Sequence, residues 1–135
     1  MLFLKRDTSN TVVLTLQENA TITATTPNYL FEFISDDSNV AKLFTATDSS
    51  SNVCRYNQFI ISVTGGTENL TGGTIDLTNN GYYKYNVYEQ VSATNLAISG
   101  TTSKVETGKM FLSGTTLPII TEYTDQTNTK FVYNG

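Results

Sequence analysis

The sequence contains no histidine, no tryptophan and only one cysteine, Cys54. Without histidine the chain lacks the commonest general base and the commonest metal ligand, so one copy cannot form a Ser-His-Asp or Cys-His catalytic site. A single cysteine excludes an internal disulfide and a cysteine-based zinc site. We therefore predict no catalytic residues, no metal site and no cofactor, and we expect the chain not to be an enzyme.

Charged residues are also scarce. They make up 15% of the chain, against about 25% in typical globular domains, and the formal net charge is −4. A protein that binds a nucleic acid duplex needs Lys and Arg to neutralise phosphates, and the 8 in this sequence are scattered. We therefore expect neither nucleic acid nor membrane as a partner.

Long apolar runs are missing as well. No stretch approaches the roughly 20 residues of a membrane-spanning helix, and the apolar start at 2–4 is too short for a secretory signal. The sequence therefore predicts a protein that is made in a cytoplasm and not exported by a signal of its own.

Threonine, asparagine and serine carry most of the polar content, and 11% of the residues are aromatic. Threonine and aromatic residues favour strands, whereas asparagine, serine and glycine favour turns. Period-two alternation between turn signals predicts strands at 2–4, 11–16, 29–34, 40–46, 56–63 and 104–112. The polar stretch 19–28 is either an edge strand or a loop. The predicted fold class is therefore all-β, with one domain at 1–113.

The stretch 72–90 shows the clearest pattern. Ile75 and Leu77 alternate with polar residues, 79–81 supplies the turn residues Asn-Asn-Gly, and 83–87 alternates again. Alternation of this kind places every second side chain on one buried face of a strand. We interpret the stretch as a hairpin of strand, tight turn and strand.

The spacing Asn79-x-Gly81-x-Tyr83 resembles the start of strand F in immunoglobulin-like sandwiches, where a tyrosine bonds back to upstream backbone. Tyr83 would be this corner tyrosine, Gly81 would lie in its turn, and Tyr85 would occupy the place of the second core cysteine of antibody domains. Antibody domains also have a core disulfide packed on a tryptophan, and this chain has neither. An ordinary hairpin in another all-β fold is therefore the alternative interpretation. We predict an immunoglobulin-like or related antiparallel β-sandwich, in which the aromatic strand 29–34 packs against the face of Tyr83.

Acidic residues offer the remaining route to catalysis, because a pair of carboxylates can hydrolyse glycosides. The candidates are Glu32, Asp36, Asp37, Glu89, Glu106 and Glu122. Most fall in predicted turns or on polar strand faces, so we interpret them as solvated acids without a catalytic role.

Cys54 is interpreted as a small, partly buried core residue, and Gly108 as a bulge or sharp bend in its strand.

Two groups of residues are candidate assembly contacts. Tyr82 and Tyr88 alternate along their strand with the residues predicted to be buried, so their side chains point outward. Outward-facing tyrosines either pack on a neighbouring subunit or stack on sugar rings. The segment 114–135 contains further apolar candidates, which are Leu117, Ile119, Ile120, Phe131 and Tyr133. We interpret this segment as either one more hairpin or an arm that docks on a neighbour.

Segments at 9–16, 28–33, 55–59, 80–90 and 105–109 together resemble small structural proteins of tailed bacteriophages, including marine and crAss-like phages. The resemblance implies a virion component without catalytic residues, either a capsid auxiliary or decoration subunit or a neck or tail component. The implied partners are the major capsid protein, or neck and tail subunits, and copies of the chain itself. The implied location is the virion, after synthesis in the host bacterial cytoplasm. A surface carbohydrate-binding module is the alternative from another functional class.

Overall fold

The computed structural model describes residues 1–23 and 26–114 of the chain. The strands are β1 (Leu2–Lys5), β2 (Thr8–Leu14), β3 (Asn28–Ser35), β4 (Ala41–Thr45), β5 (Asn57–Val63), β6 (Thr74–Ile75), β7 (Gly81–Gln90) and β8 (Ser103–Ser113). Short 3₁₀ helices, Gln17–Asn19 and Ile98–Gly100, lie in the connections after β2 and β7. Apart from Gly114, the predicted arm or hairpin at 114–135 lies outside the described residues, and so do its candidates Leu117, Ile119, Ile120, Phe131 and Tyr133.

The strands form two sheets that pack as a sandwich. The larger sheet has five strands in the order β1-β8-β7-β3-β4, and the smaller has three in the order β2-β5-β6. This arrangement confirms the predicted all-β sandwich. Most neighbouring strands are antiparallel, but β1 pairs with β8 in parallel and β5 pairs with β6 in parallel, so both sheets are mixed.

Four neighbouring strands of the larger sheet follow the same order as strands G, F, C and C′ of an immunoglobulin variable-type sheet. There strand F lies between strands G and C, and strand C′ follows C. In this chain β7 lies between β8 and β3, and β4 follows β3. The strand that carries the tyrosine spacing, β7, therefore occupies the position of strand F.

The core lies between the two sheets, and an aromatic contact joins them. Phe59 of β5 meets Phe31 of β3 edge-on, with ring centroids 4.9 Å apart, and meets Tyr29 at 5.7 Å. Phe31 also stacks on Phe44 of β4 at 5.2 Å. The prediction that the aromatic strand 29–34 packs against the face of Tyr83 is wrong. β3 lies beside β7 in the same sheet, so the aromatic residues of the two strands form one continuous face.

The predicted hairpin at 72–90 is wrong. Thr74–Ile75 pairs with β5 in the smaller sheet, so residues 76–80 cross from one sheet to the other. Alternation correctly placed Ile75 and Leu77 in the core, at 0% and 3% exposed, but alternation contains no information about which strand is the partner.

Tyr83 holds in place the segment 76–80, which crosses from the smaller sheet to the larger one. Its hydroxyl donates to the carbonyl oxygen of Asn79 at 2.6 Å, which is the bond that a tyrosine corner makes. The Arg6 guanidinium donates to the Leu77 carbonyl at 2.5 Å. Gly81 begins β7 with a φ of 118°, a conformation that favours glycine over any residue with a side chain.

The last strand contains a bulge, but Gly108 is not its cause. The register with β7 shifts between Val87 and Tyr88, which leaves Val105 as the extra residue and turns its side chain into the core. Gly108 lies opposite Tyr85, and a Cβ at this position would approach the Tyr85 ring to 2.8 Å. Gly108 is therefore needed for the close approach of an aromatic ring.

Replacing Tyr83 by phenylalanine tests the corner. Tyr83→Phe keeps the ring and leaves the Asn79 carbonyl without its donor, so we expect the free energy of unfolding to fall by about 1 kcal/mol in urea denaturation. Tyr82→Phe is the matched control, because Tyr82 is 55% exposed. Equal unfolding midpoints for Tyr83→Phe and the wild type would show that the corner does not stabilise the fold.

Candidate functional site

Three aromatic side chains lie side by side on the outer face of the larger sheet. Phe3 of β1 lies opposite Phe111 of β8, and Tyr82 of β7 lies opposite Phe111 on the other side. Residues directly opposite each other share one face of a sheet, and the ring centroids of Tyr82 and Phe111 are 4.9 Å apart. Phe3 is 71% exposed and Tyr82 is 55% exposed. We call these three residues the aromatic row.

Charged side chains border the aromatic row along β7 and β8. Lys84 and Lys109 lie opposite each other, next to Tyr82 and Phe111 on the same face. Lys109 Nζ lies 2.5 Å from the carboxylate of Asp36. This ion pair is exposed and contributes little to stability. The row is therefore an apolar strip with a polar rim, which is the arrangement found at protein interfaces.

Sequence reasoning identified Tyr82 as a candidate contact but did not place Phe3 or Phe111 beside it. Phe111 lies between the buried residues Met110 and Leu112, and this alternation was a signal that its side chain points outward. Phe3 had no local signal. Its place in the row depends on the parallel pairing of β1 with β8, which joins opposite ends of the described chain.

Tyr88 points to the outer face, as its alternation predicts, but it is only 9% exposed and is not available as a surface contact. Its hydroxyl donates to the Glu32 carboxylate at 3.2 Å. Asn86 Nδ2 donates to the same oxygen at 2.7 Å, and the Thr107 hydroxyl donates to Asn86 Oδ1 at 2.8 Å. Tyr88 therefore belongs to a buried polar network that joins three strands of the larger sheet.

The connection between β7 and β8 covers this part of the outer face. The Thr45 hydroxyl donates to the Ala93 carbonyl at 3.3 Å, and Asn95 Nδ2 donates to the Gln90 side chain at 2.7 Å. Under this cover Leu30 and Gln90 are 0% exposed. Alternation therefore predicted the direction of these side chains but not their burial, which depends on a distant loop.

The acidic candidates differ in their surroundings. Asp36 and Asp37 are exposed in the turn after β3, as expected of solvated acids. The same expectation is wrong for Glu32 and Glu89, which are 8% and 0% exposed. Glu89 lies opposite Tyr29 on the core side, whereas Glu32 lies on the outer side. The two carboxylates are thus on opposite faces of one sheet and do not form a catalytic pair.

Glu89 anchors the connection after β2. Its carboxylate accepts hydrogen bonds from the backbone N–H groups of Thr21, at 2.8 Å, and Ile22, at 3.2 Å. The hydroxyls of Thr21 and Ser103 also donate to it. Burial acts to raise the pKa of Glu89, but these hydrogen bonds outweigh burial and lower it. Glu89 is therefore ionised at neutral pH and has a structural role.

The described part of the chain contains no metal-binding cluster, and its cysteine lies at the surface. Within 1–23 and 26–114, no three His, Cys, Asp or Glu side chains lie together in a way that could hold a metal ion. Glu106 is partly exposed, and Glu122 lies outside the described residues. Cys54, which we expected to be partly buried, is exposed because it lies in a turn of exposed residues at 51–55.

Comparison with known proteins identifies no matching family model, no matching curated protein and no matching solved structure. Among the described residues, no helix has the length and hydropathy needed to cross a membrane.

The environment of Glu89 predicts a pH-dependent contribution to stability. Because its pKa is lowered on folding, the contribution is present above the ordinary carboxyl pKa and is lost as the pH falls through and below that range. We expect Glu89→Gln to reduce the free energy of unfolding by about 2 kcal/mol near neutral pH, and the difference from wild type to shrink on acidification. Asp37→Asn, at an exposed position, is the control. A difference that stays constant from neutral to acidic pH would contradict this assignment.

Proposed function

We propose that this chain is a non-enzymatic structural subunit of a tailed-phage virion and that it binds other virion proteins through the aromatic row. The observation that carries the proposal is the exposure of Phe3 and Tyr82 on either side of Phe111. Burying one large apolar side chain contributes about 1.5–3 kcal/mol, so a partner that covers two exposed rings gains a substantial driving force for association.

The class of partner follows from the resemblance to small phage structural proteins. The first candidate is the major capsid shell, to which this chain would bind as an auxiliary or decoration subunit. Neck or tail subunits are the second. The low content of charged residues, 15% of the chain, supports dense packing against neighbours and copies of itself, because repulsion between like charges is weak.

The alternative of a carbohydrate-binding surface built on Tyr82 and Tyr88 is less well supported. Tyr88 is buried and bonded to Glu32, so the two tyrosines do not form an exposed platform. The rings beside Tyr82 are phenylalanines, which have no hydroxyl to bond a sugar and which suit apolar contact with a protein. The aromatic row therefore favours a protein partner.

The test is to produce phage particles in which a variant takes the place of the wild-type chain. Phe3→Thr combined with Tyr82→Thr should fold like the wild type, since both positions are exposed, but should be incorporated at roughly tenfold lower levels. Incorporation is measured by quantitative mass spectrometry of purified particles from cells that supply only the variant.

The matched control removes apolar side chains from the other sheet. Val13 and Ile60 are 54% and 43% exposed on the outer face of β2 and β5, and Val13→Thr with Ile60→Thr should be incorporated normally. Equal incorporation of both double variants would contradict the role of the aromatic row. Absence of the wild-type chain from purified particles would contradict the proposed function itself.

A further inference from the structure

Three connections lie at one end of the sandwich: those between β2 and β3, between β4 and β5, and between β7 and β8. The register shows this, because Asn28 at the start of β3 pairs with Gln90 at the end of β7, and Leu30 pairs with Thr45 at the end of β4. In variable-type immunoglobulin domains the loops of one end form the binding site. We call this end of the molecule the loop end.

A cavity of about 460 Å³ opens at the loop end. Its polar lining consists of Gln17, Thr23, Thr26, Tyr29, Asp48 and Asn57. Ile22, Pro27 and Val53 add apolar surface. A cavity of this volume, lined mainly by polar side chains with some apolar surface, lies in the size range of sites for small molecules.

Tyr29 contributes a buried hydroxyl to the lining of this cavity. The residue is 2% exposed, and although the Asn57 side chain lies near its hydroxyl, the hydroxyl makes no hydrogen bond of good geometry with the described residues. Burial, together with the negative charges of Asp48 and Glu89, raises the pKa of Tyr29 to about 12, so the hydroxyl is protonated at neutral pH and can both donate and accept. Buried hydroxyls in native proteins nearly always bond to protein or to ordered water, so this hydroxyl is available to a polar group that enters the cavity.

Asp48 supplies a fixed acceptor beside it. Its Oδ1 accepts from the backbone N–H groups of Ser50, at 2.9 Å, and Gln58, at 3.2 Å, while Oδ2 accepts from Asn57 Nδ2 at 2.6 Å. Burial opposes ionisation, but these hydrogen bonds outweigh it and lower the pKa of Asp48. A carboxylate has about four acceptor positions, so one on Oδ2 remains for a further donor.

We propose that the loop-end cavity binds a neutral sugar ring, whose hydroxyls donate to Asp48 and exchange a hydrogen bond with Tyr29. The described lining residues include one carboxylate and neither Lys nor Arg, which disfavours an anionic ligand. Ile22, Pro27 and Val53 provide apolar surface for the C–H groups of the ring. The site lies apart from the aromatic row and does not depend on the function proposed for it.

The test is a nuclear magnetic resonance titration of the full chain with glucose, galactose, mannose and N-acetylglucosamine, each added separately. We expect at least one of them to shift the amide signals of Tyr29, Asp48 and Asn57 with a dissociation constant in the millimolar range. A parallel titration uses butylammonium as a cationic probe for Asp48. The proposal is overturned if none of the four sugars shifts these signals, or if only the amine does.

Variants separate ligand binding from a structural role. Tyr29→Phe should weaken sugar binding by roughly tenfold, while the unfolding temperature should stay equal or rise, because the Tyr29 hydroxyl makes no hydrogen bond of good geometry in the free chain. Tyr56→Phe is the matched control, since the Tyr56 hydroxyl bonds to Ser51 at 2.8 Å away from the cavity lining. This variant should bind sugar like the wild type. Undiminished binding by Tyr29→Phe would contradict the assigned site.

Discussion

The sandwich depends on the insertion of Phe59 from the smaller sheet between Tyr29 and Phe31 of the larger one. Antibody domains join their sheets with a disulfide packed on a tryptophan, and this chain has one cysteine and no tryptophan. The edge-on contacts of Phe59, with ring centroids 4.9 Å and 5.7 Å away, hold the two layers together instead. Such a side chain contributes about 1.5–3 kcal/mol by burial, and about 0.5–1.5 kcal/mol more through each ring pair.

Once the inner faces are packed, the outer face of the larger sheet divides into two parts. At the loop end, the connection after β7 covers Leu30 and Gln90, so the polar groups beneath it must bond to one another, as Glu32 and Asn86 do at 2.7 Å. Towards β1 nothing among the described residues covers the sheet, and the aromatic row is exposed. The same fold thus creates an exposed apolar strip on one face and, around Asp48, a polar cavity at the loop end.

Local pattern predicted the strands and much of the core, since period-two alternation is a property of each strand alone. Phe31, Phe33 and Tyr83 were placed correctly on this basis, and the spacing before Tyr83 indicated its bond to upstream backbone. The sequence did not reveal which strands pair, so β6 was assigned to a hairpin and Phe3 was not placed beside Phe111. Burial of Glu89 and the cavity at Asp48 were missed for the same reason: both are created by loops that meet only in the folded chain.

The central claim is that the aromatic row is a contact between virion subunits. A cryo-electron microscopy map of the intact particle tests this most directly, because it shows both where the chain lies and which face it buries. The account predicts the sandwich at a repeated position, with Phe3, Tyr82 and Phe111 in van der Waals contact with a neighbouring subunit, about 4 Å away. A map in which the chain is present but these three rings face solvent, or in which the chain is absent, would contradict it.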